Sequence, residues 1–222
     1  MNKMDGSELS VSMTALPRIS PHETVSDTNR FYSECMRHLA HCSSYFPRHM
    51  PSIPPVGSSV FLNGCCLLVD MCGFTELSNK HFAKGLKGID KLRVFMNKSL
   101  ARIVDLVYEQ RGDVIKFAGD SLLCVFPSRD DGDKHDCIMR AVRCGLDIVH
   151  FHIDEISIRA GMSYGKMCFA VLGGHNDRCS TLLNGYCIDE CGECLAVAGA
   201  HGLVITDEVY KLIEGTVVGD PV

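Results

Sequence analysis

Residues 60–69 read Val-Phe-Leu-Asn-Gly-Cys-Cys-Leu-Leu-Val, an apolar run interrupted only at Asn63 and Gly64 and closed by Asp70. A half-buried strand alternates apolar and polar side chains. Cys65–Val69 has no polar side at all, so it reads as a buried central strand. The elements that follow are those needed to cover it. Ile89, Leu92, Met96, Leu100, Ile103 and Val107 recur at spacings of 3, 4, 4, 3 and 4, the pattern of a long amphipathic helix. Asp113–Phe117 and Leu122–Phe126 flank Ala118–Ser121 and predict a hairpin. Ile138, Val142, Gly145 and Val149 mark a second helix, with Asp136 as its expected cap. Ile156–Ser163 and Met167–Leu172 read as strands joined by a turn at Tyr164–Gly165. A helix is expected over Asp189–Ala200, stopped by Gly202, then a strand over Leu203–Ile205 and a short helix from Thr206 to Ile213. This order predicts an α+β domain with a ferredoxin-like βαββαβ core, a mixed and mainly antiparallel sheet with helices on one face.

The domain is expected to occupy residues 59–222. Residues 1–58 hold six of the eight prolines and ten serines, and read as a partly disordered Pro/Ser-rich leader. Residues 1–28 show no periodicity, a short helix is expected near Asn29–His41, and Pro47–Pro55 reads as an extended connector. No apolar run approaches the roughly eighteen residues that span a bilayer, so a membrane span is excluded. A net charge of −5 gives no electrostatic footprint for nucleic acid. The opening MNKMDGSELS is not followed by an apolar segment, which predicts a cytoplasmic protein whose 13 cysteines stay reduced. Most of those cysteines sit in apolar stretches, where Cys serves as a small hydrophobe.

Two segments carry chemistry. In Leu68-Val-Asp-Met-Cys-Gly-Phe-Thr75 a carboxylate ends a buried strand and a glycine-containing turn enters a helix. Such an Asp can face a cation, and the backbone N–H groups after it can face phosphates. In Gly112-Asp-Val-Ile-Lys-Phe-Ala-Gly-Asp120-Ser-Leu-Leu, Gly119-Asp120 forms a hairpin tip between two apolar strands. Alone, Asp70 is a helix cap and Asp120 a turn residue. Together, two carboxylates at the ends of core strands can converge on a divalent ion, and magnesium takes one or two carboxylates plus phosphate oxygens. Other candidates are weaker. Cys187, Cys191 and Cys194, near Cys179 and His175, have the spacing of one buried helix face rather than that of paired zinc ligands.

Residues 60–206 resemble the catalytic domain of class III nucleotidyl cyclases. The likeness rests on V-D-M-C-G-F-T-E-L-S (69–78), G-D-V-I-K-F-A-G-D-S-L-L (112–123) and R-A-G-M-S-Y-G (159–165). It is nearest to the first catalytic half of the bicarbonate-regulated soluble adenylyl cyclases. The resemblance implies a head-to-tail pair of halves with ATP bound between them. Asp70 and Asp120 match the aspartates that hold two magnesium (or manganese) ions. The Met71 carbonyl would complete one metal site, and the backbone of Cys72, Gly73, Phe74 and Thr75 would contact the triphosphate. Lys116 matches a lysine of the family, and in the soluble cyclases a lysine there helps to bind bicarbonate.

The departures from the family are as specific. Leu182 stands at the position of the base-reading Asp or Thr. Asp189 and Glu193 replace the family's Asn and Arg, and Gly192 falls where the second bicarbonate cation would be. A carboxylate where a cation should meet developing phosphate charge is repulsive. The expectation is therefore the metal-binding half of a soluble adenylyl cyclase, dependent on a second half in cis or trans and inactive or weak alone. The rival is a degenerate cyclase-like domain that regulates a partner or binds an anion or nucleotide. The family domain closes with a strand pair after its last helix, which is expected to be short or absent here.

Overall fold

The computed structural model describes residues 47–129, 131–151, 156–175 and 178–219. The expected leader tail and the helix over residues 29–41 lie outside the described residues. Strand β1 (Ser58–Cys72) is followed by helices α1 (Phe74–Phe82) and α2 (Leu86–Glu109) and the hairpin β2 (Asp113–Ala118) and β3 (Ser121–Pro127). Then come α3 (Lys134–Val149), β4 (Ser157–His175), β5 (Arg178–Asn184), α4 (Tyr186–Val197), β6 (Leu203–Ile205) and α5 (Asp207–Ile213). The main strand order is β2-β3-β1-β4-β5, with β6 parallel to β4 and every other pairing antiparallel.

The apolar run lies at the centre of this sheet, as its lack of a polar side demands. Cys65, Cys66, Leu67 and Val69 are fully buried. Alternation splits them between two layers. Cys65, Leu67, Val69 and Met71 share a cluster with Leu92, Ile103 and Val107 of α2 and Ile138 and Val142 of α3. Cys66 joins Met167, Phe169 and Val171 of β4 and Cys187 and Cys191 of α4. Helices α2 and α3 thus cover one face as expected, and α4 adds cover on the other. Gly161 makes that second layer possible. A Cβ there would run into the Cys191 carbonyl and the Leu195 amide, so only glycine lets α4 lie so close to β4.

Three expectations are corrected. Tyr164 and Gly165 do not turn: they pair with Cys65 and Gly64 inside one continuous β4, whose ladder with β1 runs from Ser58↔Val171 to Cys72↔Ser157. A long central partner outweighs the local turn preference of a Tyr-Gly pair. The return comes later, and β5 pairs back on β4 through Cys168↔Asn184 to His175↔Arg178. Helix α4 runs over Tyr186–Val197, starting three residues before the expected Asp189. Asp136 lies in the first turn of α3, and Asp133 is the N-cap.

The segment at residues 47–55 bends at Arg48, His49 and Pro51, and it is anchored. The Asp113 carboxylate is fully buried and accepts backbone N–H bonds from Arg48 (2.7 Å), His49 (2.8 Å) and Met50 (2.9 Å). Three charge-assisted bonds compensate the desolvation of that charge.

Candidate functional site

Register brings the two sequence-selected carboxylates to one corner. β1 and β3 pair with Val69 opposite Leu122, so the next residue of β1, Asp70, faces Ser121. The Ser121 hydroxyl donates to Asp70 Oδ1 at 2.7 Å. Asp120 precedes Ser121 at the hairpin tip, half-buried, beside Gly119 at φ 68°. A two-residue hairpin turn needs that left-handed backbone, which glycine adopts freely. On its other side Asp70 pairs with Arg159 of β4. Arg159 Nε and its terminal Nη2 both approach Asp70 Oδ2, each at 2.9 Å. Hydrogen bonding to Asp70 raises the Arg159 pKa, against a smaller opposing effect of burial. The Asp70 side chain keeps 17% of its surface exposed and Arg159 33%.

The chain beyond Asp70 stays in β1 for two more residues and then enters α1. The Met71 side chain is buried. Cys72 is half-buried, and Gly73 (φ 90°) is the N-cap of α1. The first bond of that helix runs from the Leu77 N–H to the Gly73 carbonyl at 3.1 Å. The amides of Phe74, Thr75 and Glu76 therefore have no acceptor within the helix. Asp70, the hairpin tip that carries Asp120 and the N-terminal end of a nine-residue helix thus lie at one end of the sheet. Hard oxygen donors of this kind suit Mg²⁺ or Mn²⁺, and the helix end suits an anion.

The remaining sequence-selected residues lie elsewhere. Lys116 is exposed on β2, just after a register shift between Val114 and Lys116. Leu182 is exposed on β5, opposite Ala170. Asp189 and Glu193 lie exposed on the outer side of α4, with Gly192 half-buried between them. Glu193 also borders a cavity of about 650 Å³ formed with Val142, Leu203, Ile205 and Tyr210, away from Asp70. The α4 cysteines take the buried helix face that their spacing predicted. Cys191 donates to the Gly161 carbonyl at 3.0 Å, and burial pushes its thiol up to about 12. Cys187 lies 4.0 Å from Cys66, Sγ to Sγ.

Sequence reasoning missed two partners of Asp70. Arg159 opens the third motif and Ser121 follows Asp120, so both were in view. Their role depends on strand register, that of β1 with β3 for Ser121 and of β1 with β4 for Arg159.

No protein-family model matches the chain. It is 24% identical over 187 residues to adenylate cyclase type 10 of Oryctolagus cuniculus, covering 77% of this chain and 11% of that protein. Against adenylate cyclase type 10 of Homo sapiens it is 24% identical over 168 residues, covering 71% and 10%. The chain spans about a tenth of the length of these curated relatives. Among solved structures, the adenylyl cyclase CyaB of P. aeruginosa superimposes with a TM-score of 0.58 at 18% identity, covering 71% of this chain and 83% of that one. The guanylate cyclase domain of RhGC from Catenaria anguillulae, in complex with GTP, gives 0.62 at 20% identity, covering 74% and 88%.

Proposed function

We propose that this chain, homologous to adenylate cyclase type 10 and folded as a class III nucleotidyl cyclase domain, is the metal-binding half of an enzyme converting ATP to cyclic AMP and pyrophosphate. The observation that carries the reading is the corner where β1 and β3 set Asp70 and Asp120 beside the open N-terminus of α1. Asp70, the Met71 carbonyl and Asp120 would hold two magnesium (or manganese) ions. Bound there, the ions would acidify the ribose 3′-hydroxyl and neutralise the pyrophosphate leaving group. The amides of Cys72, Gly73, Phe74 and Thr75 would receive the triphosphate, fixing the α-phosphorus for attack.

The chain's other half-site does not supply what the family uses. Leu182 has no group to read the adenine amino group. Asp189 and Glu193 put negative charge where a cation would stabilise the transition state. A second half, in cis or in trans, must therefore bring the Lys, the Asp or Thr, the Asn and the Arg. Lys116 is the one cation at the bicarbonate position, because Gly192 offers none, so an anion there would be held by a single charge. The domain is taken as residues 59–222, working in the cytoplasm. No described helix is long and apolar enough to cross a membrane.

A second reading is favoured by Leu182, Asp189, Gly192 and Glu193 themselves: a catalytically degenerate domain that regulates a partner half. Asp70→Asn separates the two. In the enzyme assembled with a competent second half, it is expected to abolish cyclic AMP formation. Unchanged turnover would overturn the metal-binding role, and magnesium-dependent ATP binding without product would favour the regulatory one.

A further inference from the structure

Asp70 already has a cation. Both Arg159 nitrogens that reach it, Nε and Nη2, converge on the single oxygen Oδ2 at 2.9 Å. A carboxylate oxygen has two lone-pair sites; the Nε–H takes one on Oδ2, and the ion-paired Nη2 crowds the other. Oδ1 has given one site to the Ser121 hydroxyl at 2.7 Å and keeps one. A divalent ion arriving at Asp70 thus finds both oxygens already partnered, with a guanidinium beside them. Like charges a few ångströms apart are costly even in water, and more so at a half-buried corner. Arg159 is one-third exposed, so its head can leave for solvent without unpacking the core.

We propose that Arg159 is the internal counter-ion of Asp70 and competes with the divalent ion for it, so that filling the metal site and releasing the Asp70–Arg159 pair are one event. Arg159 is a positioning residue in this role. In the chain alone it holds the carboxylate in register between β3 and β4 and sets the metal affinity low. A second half that draws the guanidinium away would raise that affinity. The inference rests on the proposed metal role of Asp70 and adds to it the residue that tunes the site.

The test is Mn²⁺ titration of the 222-residue chain, with free Mn²⁺ followed by electron paramagnetic resonance and no nucleotide or turnover involved. Arg159→Met is expected to bind Mn²⁺ roughly tenfold tighter than the unaltered chain, from the loss of one positive charge beside a dication. Arg159→Lys keeps the charge and is expected to stay near the unaltered affinity. Added KCl should narrow the difference between the Met variant and the unaltered chain. Arg159→Gln, checked with Arg159→Met by thermal unfolding, guards against a fold defect in either one. Equal or weaker binding in folded Arg159→Met and Arg159→Gln would overturn the proposal. Asp70→Asn and Asp120→Asn separate the two layers of the argument. If they leave Mn²⁺ binding unchanged, the metal reading itself fails. If they weaken it while the Arg159 variants do not strengthen it, only the counter-ion role fails.

Discussion

The Asp70 corner and helix α4 have kept different things. At the corner, polar groups gather at strand ends: Asp70 bonded to Ser121 and Arg159, Asp120 at the hairpin tip, and open amides at the start of α1. On α4 the inward face is the specific one. Cys187, Cys191 and Cys194 are buried against β1 and β4, with Cys191 bonded to the Gly161 carbonyl. Its outward face carries Asp189 and Glu193, exposed, with the half-buried Glu190 between them, an acidic stripe. Packing constrains the inner face of a helix whatever the outer face does. The residues on the outer face of α4 can therefore change while the fold is kept, because packing and surface fall on opposite sides of one helix.

Substitutions on the two regions should separate chemistry from stability. The largest effect is expected from Asp120→Asn at the corner. In the assembled enzyme it should cost on the order of a hundredfold or more in turnover, with an unchanged urea midpoint for the isolated chain. A parallel loss of stability would mean that Asp120 serves the hairpin instead. Next is Asp113→Ala, on the fold side. It would leave the amides of Arg48, His49 and Met50 without their acceptor. We expect a loss of about 2–3 kcal/mol in urea unfolding, without a change in Mn²⁺ binding.

Gly161→Ala probes the inner face of α4. Its methyl group would meet the backbone at Cys191 and Leu195, and a shift of α4 should cost roughly 1–3 kcal/mol. A neutral result would show that α4 is not held as closely as described. The smallest effect is on the outer face. Burial, followed by repulsion from Glu208 and Glu193, raises the Glu190 pKa. An acid with a raised folded pKa favours folding more as pH falls through that value, so Glu190 should destabilise the chain slightly at neutral pH. Glu190→Gln is expected to stabilise at pH 7 by less than about 0.5 kcal/mol, with the gain disappearing on acidification. A loss of stability at neutral pH would contradict the unfavourable burial and repulsion of the Glu190 charge.

The central strand and the long helix were legible because their patterns admit one reading. Cys65–Val69 has no wet side, and six apolar residues from Ile89 to Val107 keep one helical face. The Asp70 and Asp120 motifs were legible as chemistry because each is a carboxylate placed at the end of an apolar strand. Strand β5, Arg-Cys-Ser-Thr-Leu-Leu-Asn, was missed because its residues do not alternate cleanly and its partner, the second half of β4, had been ended early at Tyr164–Gly165. Arg159 was hidden opposite Asp70, since a cross-strand pair exists only once register is fixed. Asp113 read as the first residue of a strand. Nothing local announces that its carboxylate caps three amides more than sixty residues earlier in the chain.

The most direct test is cyclic AMP formation from ATP with magnesium or manganese, by the purified chain alone and mixed with a second half carrying the missing Lys, Asp or Thr, Asn and Arg. The account predicts little or no product alone and clear activity in the mixture. Robust activity alone would contradict it, because Asp189 and Glu193 would then not disable the second half-site. Silence in both would contradict the catalytic reading of the Asp70 corner.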